Sequence, residues 1–165
     1  GYHIMVRKKA PLPPITGSAN ITLNPVAARA AGPPHTYLAT AKAFVSGAKI
    51  VAAANPGDAI SLAFLSAQAA ECGLKAYLSR DGRDERLKND DKLRHDLVKL
   101  WKLASSEGLA IAAAPPSWLT MLGKLHRKPY HLRYSTGVHG LGIPAPQPMT
   151  DELATLVEQV TRQLI

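Results

Sequence analysis

A chain of 165 residues is long enough for one domain with a buried core, and short for two. It is 46% hydrophobic but only 5% aromatic, so Ala and Leu supply most of the apolar surface, a composition that favours helices over strands. Twenty Lys and Arg against twelve Asp and Glu give a net charge of +8, which argues for anionic partners (RNA, DNA, a nucleotide or an acidic protein) over cationic ones.

No apolar run reaches the ~18 residues of a membrane span, because Lys or Pro interrupts each, so no membrane association is expected. Cys72 is the single cysteine and has no intramolecular disulfide partner. It reads as a buried structural thiol in a cytoplasmic protein. No secretory signal is visible, and Met5 reads as a native start with Gly1 to Ile4 a remnant ahead of it.

Residues 1–34 read as a proline-rich basic arm, extended or disordered, from "VRKKAPLPPITG" to "AAGPP". Residues 35–165 form the expected helical domain. The first helix spans His35 to Ala54, with Tyr37, Leu38, Ala41, Phe44, Val45 and Ala48 at three- and four-residue spacing. "NPGD" ends it and offers Asp58 as the cap of the next. That helix, "AISLAFLSAQAAECGLKAYLSR", is apolar nearly all round and is predicted to be central. Its Glu71 and Lys75 stand four apart, in the favourable order for an intrahelical pair. Two readings apply to them: a satisfied pair at the bundle edge or dimer interface, or an acid/base or phosphate contact in a cleft.

A charged connection, "DGRDERLKNDDK", leads to a third helix, "KLRHDLVKLWKLASSEG", ended by Gly108. "PPSWLTMLGKLHRK" opens a fourth, with proline in its first turn. From Pro129 to Met149 the chain reads as irregular, and a last helix is predicted from Thr150 as N-cap to Ile165. The expected fold is all-α: a bundle of about five helices, with a long Gly/Pro-rich loop before the last.

Two segments carry a family likeness. The first is "AECGLKAYL", with Ala70, Glu71, Leu74, Lys75, Ala76 and Leu78; the second is "RHDLVKLWKLA", with His95, Asp96, Leu97, Leu100 and Ala104. Together they resemble the HEPN superfamily (higher eukaryotes and prokaryotes nucleotide-binding) over roughly residues 36 to 126. The resemblance implies a helical bundle, usually a homodimer. In some branches it also implies a metal-independent ribonuclease of a defence or toxin–antitoxin system, with an Arg-x(4–6)-His pair. Other branches lack that pair and serve as nucleotide-binding or interaction modules.

Arg133 and His139 are the catalytic pair this pattern would select. Histidine suits general acid or base work near neutral pH, and arginine suits the charge developing on a phosphate. The match is degenerate. Nine arginines and six histidines produce roughly one such spacing by chance, and Arg29 to His35 is a second instance here. Tyr134 follows Arg133 where active members carry a polar residue, and "STGVHGLG" is not helical in character.

Lys124, His126, Arg127, Lys128, His131 and Arg133 make the densest basic stretch, interleaved with Tyr130 and Tyr134. Cations with aromatics suit phosphate contact plus base stacking on single-stranded RNA, whereas a charged helix end running into a loop is the plain alternative. Arg94 and His95 are candidate phosphate contacts; Asp96 is expected to cap a helix, and His95 otherwise to pack or bond the backbone. The His126, His131 and His139 spacing lacks the i, i+4 pair or added carboxylate of a metal site, so neither metal nor cofactor is expected. The competing functional class is a non-catalytic dimeric interaction module that binds an acidic partner protein.

Overall fold

The computed structural model describes residues 10–14, 32–127 and 142–165, and these contain helices and no strands. The elements are α1 (His35–Ala54), α2 (Ala59–Leu78), a 3-10 turn (Arg80–Gly82), α3 (Glu85–Asn89), α4 (Leu97–Ser106), α5 (Ser117–His126) and α6 (Pro146–Gln163). The all-α expectation holds. The charged connection contains the short helix α3, which makes six α-helices among the described residues.

Helix α2 is the hub, in contact with α1, α4, α5 and α6. Its small residues permit this: Ala63, Ala67, Ala70, Gly73 and Ala76 are buried, so neighbours approach on several sides at once. At Gly73 a β-carbon would stand 3.5 Å from Val157 Cγ2 and 3.9 Å from Ala41 Cβ, so α1 and α6 close over the same point. Leu62, Leu74, Leu78, Leu97, Leu100, Leu119, Leu122 and Leu153 are sealed from water around this helix. Each removes apolar area worth ~2 kcal/mol from solvent.

Local signals fix the ends. Asp58 caps α2, accepting from the Ser61 N–H at 3.1 Å, and Asp96 caps α4, accepting from the Lys99 N–H at 3.1 Å. Each satisfies a donor the first turn leaves unpaired. Helix α4 ends at Ser106, and Gly108 just beyond it turns the chain away with a φ of 103°, in the left-handed region.

Three boundaries differ from the sequence reading. Helix α4 starts at Leu97 because Asp96 caps it, leaving residues 92–95 as turn. Pro115 and Pro116 precede α5 instead of entering its first turn, with Pro116 extended at the cap position. Helix α6 starts at Pro146, four residues before Thr150, with proline in its first positions and Thr150 buried inside it.

The charged connection is held by one carboxylate. Glu107 meets Arg86 at 2.5 Å and 2.8 Å and Arg80 and Arg83 at 3.4 Å each. Tyr77 Oη donates to the Glu107 carbonyl at 2.9 Å, and the Arg80 guanidinium lies 3.9 Å above the Tyr77 ring centre. No helix among the described residues is long and apolar enough to cross a membrane.

Candidate anion-binding groove and its buried charge cluster

The Glu71–Lys75 pair forms as its spacing predicts, with Nζ and Oε2 3.4 Å apart, and it is buried in the bundle. Two histidines join it. His95, in the turn before α4, places Nδ1 2.7 Å from Glu71 Oε1, and His126, the last residue of α5, places Nε2 3.1 Å from the same oxygen. Their rings stand edge to face, 6.1 Å between centres. Glu71 and His126 are almost fully enclosed, whereas the His95 side chain keeps 20% of its exposure. His95, read from sequence as packing against the bundle or bonding the backbone, bonds the Glu71 carboxylate here.

Burial by itself raises the Glu71 carboxyl. The hydrogen bond from His126, the charges of Lys75 and His126, and the hydrogen bond from His95 outweigh it and hold the group at about 2, below its ordinary 4.5. Glu71 is therefore a carboxylate throughout the physiological range. The next residue behaves oppositely: burial, then the Glu71 charge, pushes the Cys72 thiol up to about 11, so it stays protonated and inert.

A groove of about 290 Å³ opens between α4 and α5. Lys99 and Lys102 line it from α4, and Thr120, Lys124 and Arg127 from α5, while its one carboxylate, Asp96, is engaged in capping. None of the four cations is ion-paired among the described residues, and all four are exposed. The helices meet at Gly123, where a β-carbon would stand in ordinary contact, 3.7 Å from Leu97 Cβ. The chain itself links groove and cluster: Asp96 follows His95, and Arg127 follows His126.

Of the residues singled out from sequence, Lys124 and Arg127 line this groove. Arg94 does not; its guanidinium sits 3.5 Å from Asp91. Lys128, Tyr130, His131, Arg133, Tyr134 and His139 lie outside the described residues, as do Arg29 and the basic cluster Arg7, Lys8 and Lys9. Lys99 and Lys102 were missed. Their signal was present as solvent-face lysines of an amphipathic helix, but only α5 packed alongside gives that face a wall.

Sequence spacing drew attention to His126, His131 and His139, the last two outside the described residues; the fold gathers a different set, Glu71, His95 and His126, whose donor atoms all lie within 4.8 Å of one another. Oxygen and imidazole nitrogen in that number are ligands for a first-row divalent ion.

What is defined at this level is an all-α bundle with a cationic groove over a buried Glu–Lys–His–His cluster. No family model, no curated protein and no solved structure matches the chain.

Proposed function

We propose that this chain is an HEPN-like domain that binds RNA or a nucleotide through its phosphates, in the groove between α4 and α5. The observation that carries the reading is the convergence of Lys99, Lys102, Lys124 and Arg127 on one concave surface whose one carboxylate, Asp96, caps α4. These four cations, without ion-pair partners among the described residues, repel one another around the groove, and a phosphodiester relieves that repulsion. The HEPN resemblance supports the same conclusion, because its two segments supply Glu71 and Lys75 on one side and His95 on the other, and these meet in space. A homodimer is part of the reading through the resemblance alone. Ribonuclease activity is its enzymatic extension and rests on Arg133 and His139.

The test is fluorescence anisotropy with a labelled single-stranded RNA across a salt series. Binding is expected to weaken with salt at a slope of about −0.7 per phosphate neutralised, so roughly −3 for four contacts. Lys102→Ala and Lys124→Ala should each lower the slope by ~0.7, and Lys42→Ala, on α1, should leave it unchanged. Absence of salt-dependent affinity overturns the reading, and affinity for an acidic protein in its place makes the chain an interaction module. RNA cleavage that survives Arg133→Ala/His139→Ala removes the proposed catalytic pair.

A further inference from the structure

We propose that Glu71, His95 and His126 form a binding site for one first-row divalent metal ion, Zn²⁺ or an ion of similar ligand preference. Three different parts of the fold deliver these side chains: the middle of α2, the turn before α4 and the last residue of α5. Both imidazoles aim a ring nitrogen at a single carboxylate oxygen, at 2.7 Å and 3.1 Å. Nitrogen and oxygen donors about 2.0–2.1 Å from a tetrahedral ion are separated from each other by roughly 3.4 Å. Placing the ion among these three atoms therefore widens the Glu71–His95 distance by under about 1 Å.

The surroundings fit an open site rather than a closed one. Three protein ligands leave a fourth position, and His95, the one partly exposed member, marks the side from which water or an anionic oxygen reaches it. Lys75 occupies the other carboxylate oxygen, Oε2, at 3.4 Å, which orients the carboxylate and leaves Oε1 to the metal. Lys75 also opposes the ion by its charge, at close range and away from water. That opposition gives the proposal an unusual signature. Loss of the lysine should tighten the metal, whereas in a purely hydrogen-bonded cluster it only strips Glu71 of its counter-ion.

The inference goes beyond the phosphate-binding reading and does not rest on it. The experiment uses the full chain, stripped with chelator and titrated with Co²⁺ or Zn²⁺ alone. One equivalent of Co²⁺ should bind with the intense visible bands of a four-coordinate site, Zn²⁺ should displace it, and Mg²⁺ should not. His95→Ala, at a half-buried position, should keep the helical circular dichroism and weaken Co²⁺ at least about a hundredfold; His35→Ala, an exposed histidine, should change nothing. Lys75→Met should tighten Co²⁺ about tenfold or more. Lys102→Ala/Lys124→Ala should leave Co²⁺ binding intact while it weakens RNA, so the two proposals fail separately. No stoichiometric binding, binding indifferent to His95→Ala, or weaker binding in Lys75→Met overturns the site and leaves the cluster as hydrogen bonds alone.

Discussion

His126 Nε2 and Glu71 Oε1 lie 3.1 Å apart across 55 positions of sequence, both buried in the bundle. The contact ties the C-terminal end of α5 to the middle of α2. It also brings one imidazole beside another on a carboxylate that already holds a lysine.

Removing the charge at the centre of this cluster should be costly. Glu71→Gln leaves the Lys75 ammonium enclosed without its counter-ion, and the loss is expected to be about 3 kcal/mol in urea unfolding. Lys75→Met should cost less, about 1–2 kcal/mol, because both histidines still hold the carboxylate. The reverse order would show that Lys75 outweighs the histidines in compensating Glu71.

The same carboxylate sets an acid limit. A group whose folded value is depressed binds fewer protons in the folded state, so its stabilisation is complete above the ordinary value and disappears below it. For Glu71 that window runs from 4.5 down to about 2. The melting temperature should fall across this range, and Glu71→Gln should flatten the fall. A limb of unchanged steepness in the variant would assign it to other carboxylates.

Two glycines should respond in opposite directions to alanine. At Gly73 the new methyl meets Val157 and Ala41 at ordinary contact distance, and a helix interior gains up to ~1 kcal/mol from the exchange. At Gly108 the backbone has φ of 103° and the methyl would come 3.3 Å from Tyr77 Oη, so a loss of about 1–2 kcal/mol is expected. Denaturant midpoints of the two variants, compared with the parent, decide both.

Glu107→Gln should loosen the charged connection without unfolding the bundle. Its carboxyl lies below the ordinary value, first through the Arg86 hydrogen bond and then, against the opposing effect of burial, through the Arg86 and Arg80 charges. Three guanidiniums lose their shared partner, at a cost of ~1 kcal/mol at this partly exposed site. Amide exchange should quicken over residues 80–89 while α2 keeps its protection. Uniform acceleration would show that Glu107 supports the whole fold.

The sequence by itself determined what is decided within a turn or two of helix. Asp58 and Asp96 cap because a carboxylate reaches the N–H three residues on; Gly108 turns the chain away just beyond α4 because a left-handed residue favours glycine; Glu71 and Lys75 pair because four residues bring them to one face. The apolar periodicity of α1 selected most of its buried face, and the all-round apolar character of α2 marked it as central. The start of α6 escaped because Pro146 and Pro148 read as loop when viewed locally, although proline is at home in a helix's first turn. Only the tertiary structure decided that His95 and His126 turn towards Glu71, and that Lys99 and Lys102 face Lys124 and Arg127 across a groove. Those meetings depend on where α5 crosses α4 at Gly123 and on how closely both approach the small-residue surface of α2. Helix crossing is set by the summed fit of many side chains, and no spacing along a single segment encodes it.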